Sequence, residues 1–340
     1  MKPTGRAGLS SLLSYEGETM MKILLIMTGG TIGSTDRNGV IDIDEEITPH
    51  VIKLIEAHFK QVELDVIPLM NILSENLCAE DLNKLAKALL TTDFSRYSGV
   101  IVTCGSDNLA YLSAFVGLLT YRRTCHAVIV AADKPAFEPD SNAYDNIRTA
   151  VELLAGFSEG PCVPYRDSSG MRIHSAFDIR QADLSQDFFS FSGKYNTLTG
   201  KHYNKSLDVA LDDDYVEQTI PDVFDAQRLP VVGDDVLLIH PYPLLDYSAL
   251  NTDGKKAVLH MLYHSGTLDS ERLVPWMKEH PDIPVYLASL RSGRKLYRTA
   301  KDAIEAGAVP LFDIAPECAY MKLLLACAQD EMSIREFMEG

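Results

Sequence analysis

Three short stretches of this chain gather the side chains with which it could do chemistry, and each follows an apolar run. In KILLIMTGGTIG, Lys22 to Gly33, the hydroxyls of Thr28 and Thr31 flank a Gly29-Gly30 corner. Glycine there lets the backbone take positive φ or approach a ligand closely, and Thr31 is left on a short side chain that can face a cleft. The same corner equally suits hydroxyls that only satisfy backbone groups. In NILSENL, Ser74 and Glu75 form a polar corner ahead of a helical pattern, so Ser74 reads either as a helix cap or as a hydroxyl offered to a site. In VTCGSDNLAYL, Ser106 and Asp107 stand where a strand turns into a helix, whose first N–H groups and dipole favour a bound carboxylate. Asp107 is equally suited to be that helix's N-cap.

The elements that must position these corners are buried strands. Ile23 to Met27 and Gly99 to Thr103 are continuous apolar runs, as parallel strands covered on both faces require. Between them, Val51, Ile52, Leu54, Ile55 and Phe59 recur at helical spacing, and Val62 to Leu69 returns to strand character. Leu82, Leu85, Ala86 and Leu89 then make Ala79 to Leu90 an amphipathic helix. The polar stretch Ser34 to Asn38 is expected as a loop over the ligand crevice, acting as a lid. From Asp183 to Pro230 the chain is polar and irregular, with KYNTLTGKHYNK predicting a β-hairpin and LDDDYVEQTIPDVFDAQRLP a linker. After Val231, VLLIHPYP, AVLHMLYHSGT and VYLASLRSG read as strands, followed by helical patterns such as Glu271 to His280 and Leu296 to Ala306.

Composition narrows the function class. A chain of 340 residues is long enough for two domains, and 46% hydrophobic with 23% charged residues describes an ordinary soluble globular protein. A net charge of −17 and a pI near 4.9 argue against nucleic acid as a partner. The longest apolar runs, such as Val236 to Ile239, are far too short to span a bilayer, so no membrane is expected and a cytoplasmic location is. Cys78, Cys104, Cys125, Cys162, Cys318 and Cys327 show no CxxC or Cys/His ligand spacing and read as free thiols. Asp212, Asp213 and Asp214 read as a solvated acidic run rather than a metal site. No metal or other cofactor is expected. His264 with Ser265 and Asp269, or Ser289 with His240, make poor hydrolase triads in the absence of a GxSxG elbow. The first 19 residues lack the apolar core of a signal peptide and precede a second possible start at Met20 or Met21.

TGGTIG and GSD resemble the two signature motifs of bacterial-type L-asparaginases (the asparaginase/glutaminase family), in which TGGTI carries the nucleophilic threonine and HGTD a threonine–aspartate pair. Here Cys104 replaces the histidine and Ser106 the threonine. PLMNILSENL, VIVAADKP, NIRTAVELL and EAGAVPLFDIAPECAYMKLLLA are similar to further family segments, so the resemblance runs from about residue 21 to about residue 330. It implies an α/β protein of two domains with mostly parallel sheets, the larger N-terminal domain flavodoxin-like and the smaller C-terminal one α/β. The division expected is a poorly ordered extension over 1–20, a catalytic domain over 21–205, a linker over 206–230 and the second domain over 231–340.

By the same resemblance, Thr31 attacks the side-chain amide of L-asparagine to form an acyl-enzyme that water hydrolyses to L-aspartate, with release of ammonia. Ser106 assists proton transfer, and Asp107 with Glu75 faces the substrate ammonium. Ser74 holds the carboxylate, while Gly30 and Ala131 complete the substrate site. A homodimer or homotetramer is implied, with Tyr263 to Gly266 and Glu317 serving a neighbouring subunit's site. The chain also departs from the family. Counting without gaps from Arg166 and Asp167 to the position of the family's lysine lands on Phe177, and the family's lid tyrosine falls on Val40. The family's aspartate-glycine step falls on Asn142 and Ala143. Arg172 and Arg180 are the nearest basic residues to that lysine position, but arginine stays protonated. Lys134 or Tyr144 stands as a replacement. Two other functions fit the same residues: an amino-acid binding or sensing protein with weakened turnover, and a related amidohydrolase acting on another amide. The latter includes the ammonia-supplying subunit of a tRNA-dependent amidotransferase, which the acidic surface and the lack of an added N-terminal domain disfavour.

Overall fold

The structure, a computed structural model, describes residues 20–37, 39–43, 48–121, 126–136, 138–156, 160–199, 202–203 and 220–339, with backbone alone at 31, 36–37, 41, 43, 48–50, 197–199 and 202–203. The expected disorder of residues 1–19, most of the linker with Asp212 to Asp214, and Cys125 lie outside the described residues.

The first sheet is built on β1 (Met21–Gly29), with β2 (Ser34–Arg37) and β3 (Val40–Ile43) set apart as a two-stranded ribbon. After α1 (Thr48–His58) come β4 (Val62–Ile72), α2 (Ala79–Thr91), β5 (Gly99–Thr103), α3 (Leu109–Thr120), β6 (Ala127–Val130), α4 (Ala143–Gly156), β7 (Cys162–Asp167) and β8 (Gly170–Ser175). A short pair, β9 (Ile179–Arg180) and β10 (Phe189–Ser190), precedes β11 (Asn196–Thr199) and β12 (His202–Tyr203), the hairpin predicted from KYNTLTGKHYNK. The eight-stranded sheet runs β4-β1-β5-β6-β7-β8-β11-β12. It is parallel from β4 to β7 and antiparallel beyond. Among the parallel strands the chain's second strand lies outside its first, so the order reverses between β1 and β5, where open α/β sheets bind ligands at the carboxyl ends.

The apolar runs are continuous because both faces of the sheet are covered. Ile23, Leu25 and Met27 pack with Val51 and Ile55 of α1 and Ile147 and Val151 of α4. Leu24 and Ile26, pointing the other way, pack with Leu85 and Leu89 of α2 and Phe115 of α3.

Within the stretch expected as a loop, Ser34–Arg37 is instead strand β2. Ser34 to Arg37 pairs antiparallel with Val40 to Ile43, and Gly39 at φ 81° helps close the turn. Asn38-Gly39 between two strands is the strongest short hairpin signal, and reading the segment only as polar hid it.

The second sheet is fully parallel, with β13 (Val236–Ile239), β14 (Ala257–Met261), β15 (Val285–Leu290) and β16 (Val309–Phe312) in sequential order. On one face α5 (Ser270–Glu279) and α6 (Arg298–Glu305) enclose a small core around Val258, Leu287 and Trp276. On the other lies α7 (Pro316–Cys327), followed by α8 (Ile334–Glu339). Every residue of α3 except Tyr111 and every residue of α7 except Tyr320 is buried, and those two rings meet edge to face at 5.9 Å. Ile220, Val223 and Phe224, placed in the expected linker, are also buried in this shared core, the Phe224 and Phe337 rings 6.1 Å apart.

Phe177 belongs to the same core. It is 2% exposed and its ring lies edge to face on Tyr121 at 5.7 Å, so this position packs rather than carries protons. Phe177→Ala is expected to lower the unfolding free energy by about 3–5 kcal/mol, read by urea denaturation.

Two buried histidines tie stability to pH. His174 Nδ1 lies 2.8 Å from Ser190 Oγ, and His260 lies 2.6 Å from the Met261 carbonyl through Nδ1 and 2.7 Å from the Tyr247 hydroxyl through Nε2. Burial pushes both imidazoles down to about 4. Unfolded chains take up these protons near 6.5 while the native protein refuses them until about 4, so stability is full above pH 6.5 and falls as pH drops toward 4. The loss is roughly 3 kcal/mol per histidine at most. Urea denaturation at pH 7, 5.5 and 4.5 should show this slope, with His260→Gln losing its share.

Candidate active site

Three strand-end corners meet at the sheet's switch point. Thr28, next to last in β1, donates its hydroxyl to the Thr103 carbonyl of β5 at 2.8 Å, so it satisfies backbone rather than facing a cleft. Gly29 and Gly30 take φ of 93° and 83°, and the Gly30 N–H bonds to the Ile72 carbonyl of β4 at 2.9 Å. Thr31 opens the 3-10 turn Thr31–Gly33. Its side chain lies outside the described residues, while the Ser34 hydroxyl closes the turn on the Gly30 carbonyl at 3.0 Å.

The corners touch through their glycines. A Cβ on Gly30 would fall 2.2 Å from Gly105 Cα, and one on Gly105 would fall 2.3 Å from Ser74 Cβ. Neither position has room for a side chain, and this places the TGGTIG turn, the Cys104–Asp107 corner and the Ser74 turn against one another. Ser74 is 7% exposed and donates its hydroxyl to Asp107 Oδ2 at 2.9 Å. Asn108 donates its side-chain amide to the Ser74 carbonyl.

Neither capping alternative holds. The N-cap of α2 is Cys78, served by Asp81, and the N-cap of α3 is Asn108. Ser74 and Asp107 therefore bond to each other, Asp107 exposed and Ser106 half-buried at the opening. Glu75 is exposed beside them. Cys104, the departure in the second motif, is fully buried, and burial pushes its thiol up to about 12; it is an uncharged packing group.

Sequence reasoning missed how this corner is anchored. Gln181 donates its side-chain amide to the Ser106 carbonyl at 2.9 Å and accepts from the Ala110 N–H at 3.4 Å. Its own N–H bonds to Glu317 Oε1 at 3.1 Å. Glu317, 5% exposed in the first turn of α7, also holds Arg180, whose Nε lies 3.1 and 2.9 Å from its two oxygens. Arg180 is thus directed into an ion pair and lies over the Phe189 and Phe191 rings. Within the chain, Glu317 is linked to the Ser106 corner through Gln181. The only sequence signal for Gln181 is a polar residue directly after a short strand.

The loop opening at Ala131 is held by two buried asparagines. Asn146 donates to the Ala131 carbonyl at 2.9 Å and accepts from the Arg166 N–H at 2.8 Å, while Asn142 donates to the Arg166 carbonyl and accepts from the Asp133 N–H, both at 2.9 Å. Of the proposed lysine replacements, Tyr144 lies edge to face on His58 at 4.9 Å, and Lys134 is exposed. Arg172 pairs with Asp167 at 3.0 Å.

The remaining polar groups singled out in the sequence lie away from the three corners. Ser265 bonds to Thr267, Asp269 caps α5, and Ser289 donates to the Ile314 carbonyl, so no triad forms from them. Tyr263 to Gly266 line a separate cavity of about 680 Å³ with Arg180, Phe191 and Arg291. Among the described residues, no three His, Cys, Asp or Glu side chains group as a metal site needs, and no helix is long and apolar enough to cross a membrane. Cys78, Cys104, Cys162, Cys318 and Cys327 are free thiols.

Known proteins resemble this arrangement over nearly the whole chain. A glutamyl-tRNA(Gln) amidotransferase subunit of Sulfolobus acidocaldarius is 26% identical over 336 residues, 94% of this chain and 74% of its own length. The corresponding amidotransferase subunit of Saccharolobus solfataricus is 24% identical over 333 residues, 93% of this chain and 74% of its own. The thermostable L-asparaginase from Thermococcus kodakarensis superposes with a TM-score of 0.73 at 22% identity, covering 94% of this chain and 96% of that one. L-asparaginase I from Vibrio cholerae superposes with a TM-score of 0.72 at 17% identity and the same coverage. These likenesses establish the fold, two α/β domains with mostly parallel sheets. Residues 22–210 match the family described as Asparaginase, N-terminal, a span that holds all three corners and more than half of the chain, and the protein belongs to the asparaginase family.

Proposed function

We propose that the chain is an amidohydrolase that hydrolyses L-asparagine, or a close amide, to the acid and ammonia. The observation that carries this is the packing of Gly30 on Gly105 and of Gly105 on Ser74, with Ser74 bonded to Asp107. It sets the threonine turn beside a carboxylate that suits an ammonium and a hydroxyl that suits a carboxylate. Thr31 is the nucleophile: its oxygen adds to the amide carbon, ammonia leaves, and water cleaves the resulting ester. Ser106 assists the proton transfers from the mouth of the corner, Asp107 and Glu75 face the substrate ammonium, and Ser74 its carboxylate. Gly30 and Ala131 wall the site. A homodimer or homotetramer acts on a free small molecule in the cytoplasm.

A second reading rests on what stands beside Ser106. Gln181 occupies its carbonyl and Arg180 is tied to Glu317, so neither offers a titrating amine to the corner. A protein so built binds an amino acid and turns it over slowly, or uses another amide. The 26% identity to a glutamyl-tRNA(Gln) amidotransferase subunit supports such a related substrate.

Ammonia release from L-asparagine and L-glutamine, with calorimetry of L-aspartate binding, separates these. Release from asparagine that falls at least about a thousandfold in Thr31→Ala supports the threonine nucleophile. Binding without release supports the sensor instead, and release from glutamine alone moves the assignment to the related amidohydrolase.

Asp107→Asn is expected to weaken aspartate binding by about 10- to 100-fold, the worth of a charge-assisted contact. Gln181→Ala, which frees the Ser106 carbonyl, should lower kcat about tenfold with KM little changed. Steady-state kinetics at fixed pH check both, and an unaltered Gln181→Ala enzyme would remove that residue from the positioning of Ser106.

A further inference from the structure

Lys322 is the most deeply buried cation among the described residues, 2% exposed on α7. Among those residues its ammonium has no hydrogen-bond or ion-pair partner. Burial holds it below the ordinary lysine range, opposed only by the Cys318 thiol one turn earlier. A cation taken out of water without a counter-ion is unfavourable by several kcal/mol, so such groups persist where something else meets them.

Lys322 does not face solid core alone. It lines a cavity of about 410 Å³ bounded by β16, Ile314 and Met338, with Arg335 and Glu339 of α8 also on its wall. The strand's contribution, Val309 to Phe312, is entirely apolar. Arg335 is already matched by Glu339 at 2.8 Å, leaving one uncompensated positive charge in the cavity. None of the lining residues belongs to the three corners of the candidate active site.

We propose that this cavity is a binding site for a small monocarboxylate with an apolar body, its carboxylate on Lys322 and its hydrocarbon part against β16 and Met338. One free cation selects a single negative charge over a dianion such as a phosphate ester, and the walls favour an aryl or branched alkyl group over a polar one. The volume lies within the range of small-ligand sites.

Calorimetry on the full chain with phenylacetate, beside its uncharged amide phenylacetamide and the dianion phenylphosphonate, tests this. Phenylacetate should bind with Kd below about 1 mM, as expected of a ligand of this size, and at least tenfold more tightly than either analogue. Lys322→Met keeps the volume and removes the charge. It should lose phenylacetate binding by tenfold or more while melting no lower than the parent, since an apolar replacement of a buried charge is usually neutral or stabilising. Met338→Trp fills the cavity with Lys322 in place and should also abolish binding, which covers the case of a poorly folded Lys322→Met. Thr31→Ala should bind phenylacetate unchanged, separating this site from the amide site. No binding at 10 mM phenylacetate, equal affinity for phenylacetamide, or undiminished binding in Met338→Trp would overturn the assignment.

Discussion

The contact on which the candidate site depends is between two pieces of backbone. Gly30 and Gly105 meet so closely that a methyl group on either would collide with main chain or with Ser74. Loops at strand ends are ordinarily spread apart by their side chains; here the absence of Cβ atoms lets turns from β1, β4 and β5 collapse onto one another. The parallel ladder sets the strand ends level, with Met27 paired to Thr103, and the switch in strand order leaves the crevice at their carboxyl ends. Function-bearing side chains are then placed by backbone geometry, with little demand on the loops themselves.

The second domain takes part in this arrangement from behind. Glu317 at the start of α7 draws Arg180 and Gln181 inward, and Gln181 fixes the carbonyl of Ser106. A carboxylate of one sheet's helix layer is thereby connected, through Gln181, to the hydroxyl-bearing corner of the other. The pairing also holds Arg180 in an ion pair with Glu317, over the Phe189 and Phe191 rings.

Much of this was legible in the residues, for reasons that differ from element to element. Ile23 to Met27 and Gly99 to Thr103 announced buried parallel strands because their apolar character is unbroken, and the Gly-Gly step announced a sharp corner. Asn38-Gly39 carried a hairpin signal as strong as any in the chain, but it was subordinated to the polarity of its neighbours. Ser74 and Asp107 each looked like a helix cap in isolation, since capping is local and their mutual bond spans 33 residues of sequence. Gln181 and Glu317 lie further beyond local reading, because no periodicity encodes a contact across 136 residues. Phe177 shows the limit of counting positions: a short β9–β10 excursion follows it, and the basic residue tied to the corner's support is Arg180.

The near-total burial of α7 bears on how the protein comes to be folded. Its twelve residues begin at Pro316, yet the surface of α3 that they cover is complete once residue 120 has been made. During synthesis, the first sheet must therefore wait with an apolar helix face uncovered until almost the whole chain has left the ribosome. For that interval the nascent chain is a substrate for chaperones and for association with its own copies. A fragment ending between the two sheets would keep that face exposed indefinitely, so the last helices complete the first domain as much as the second.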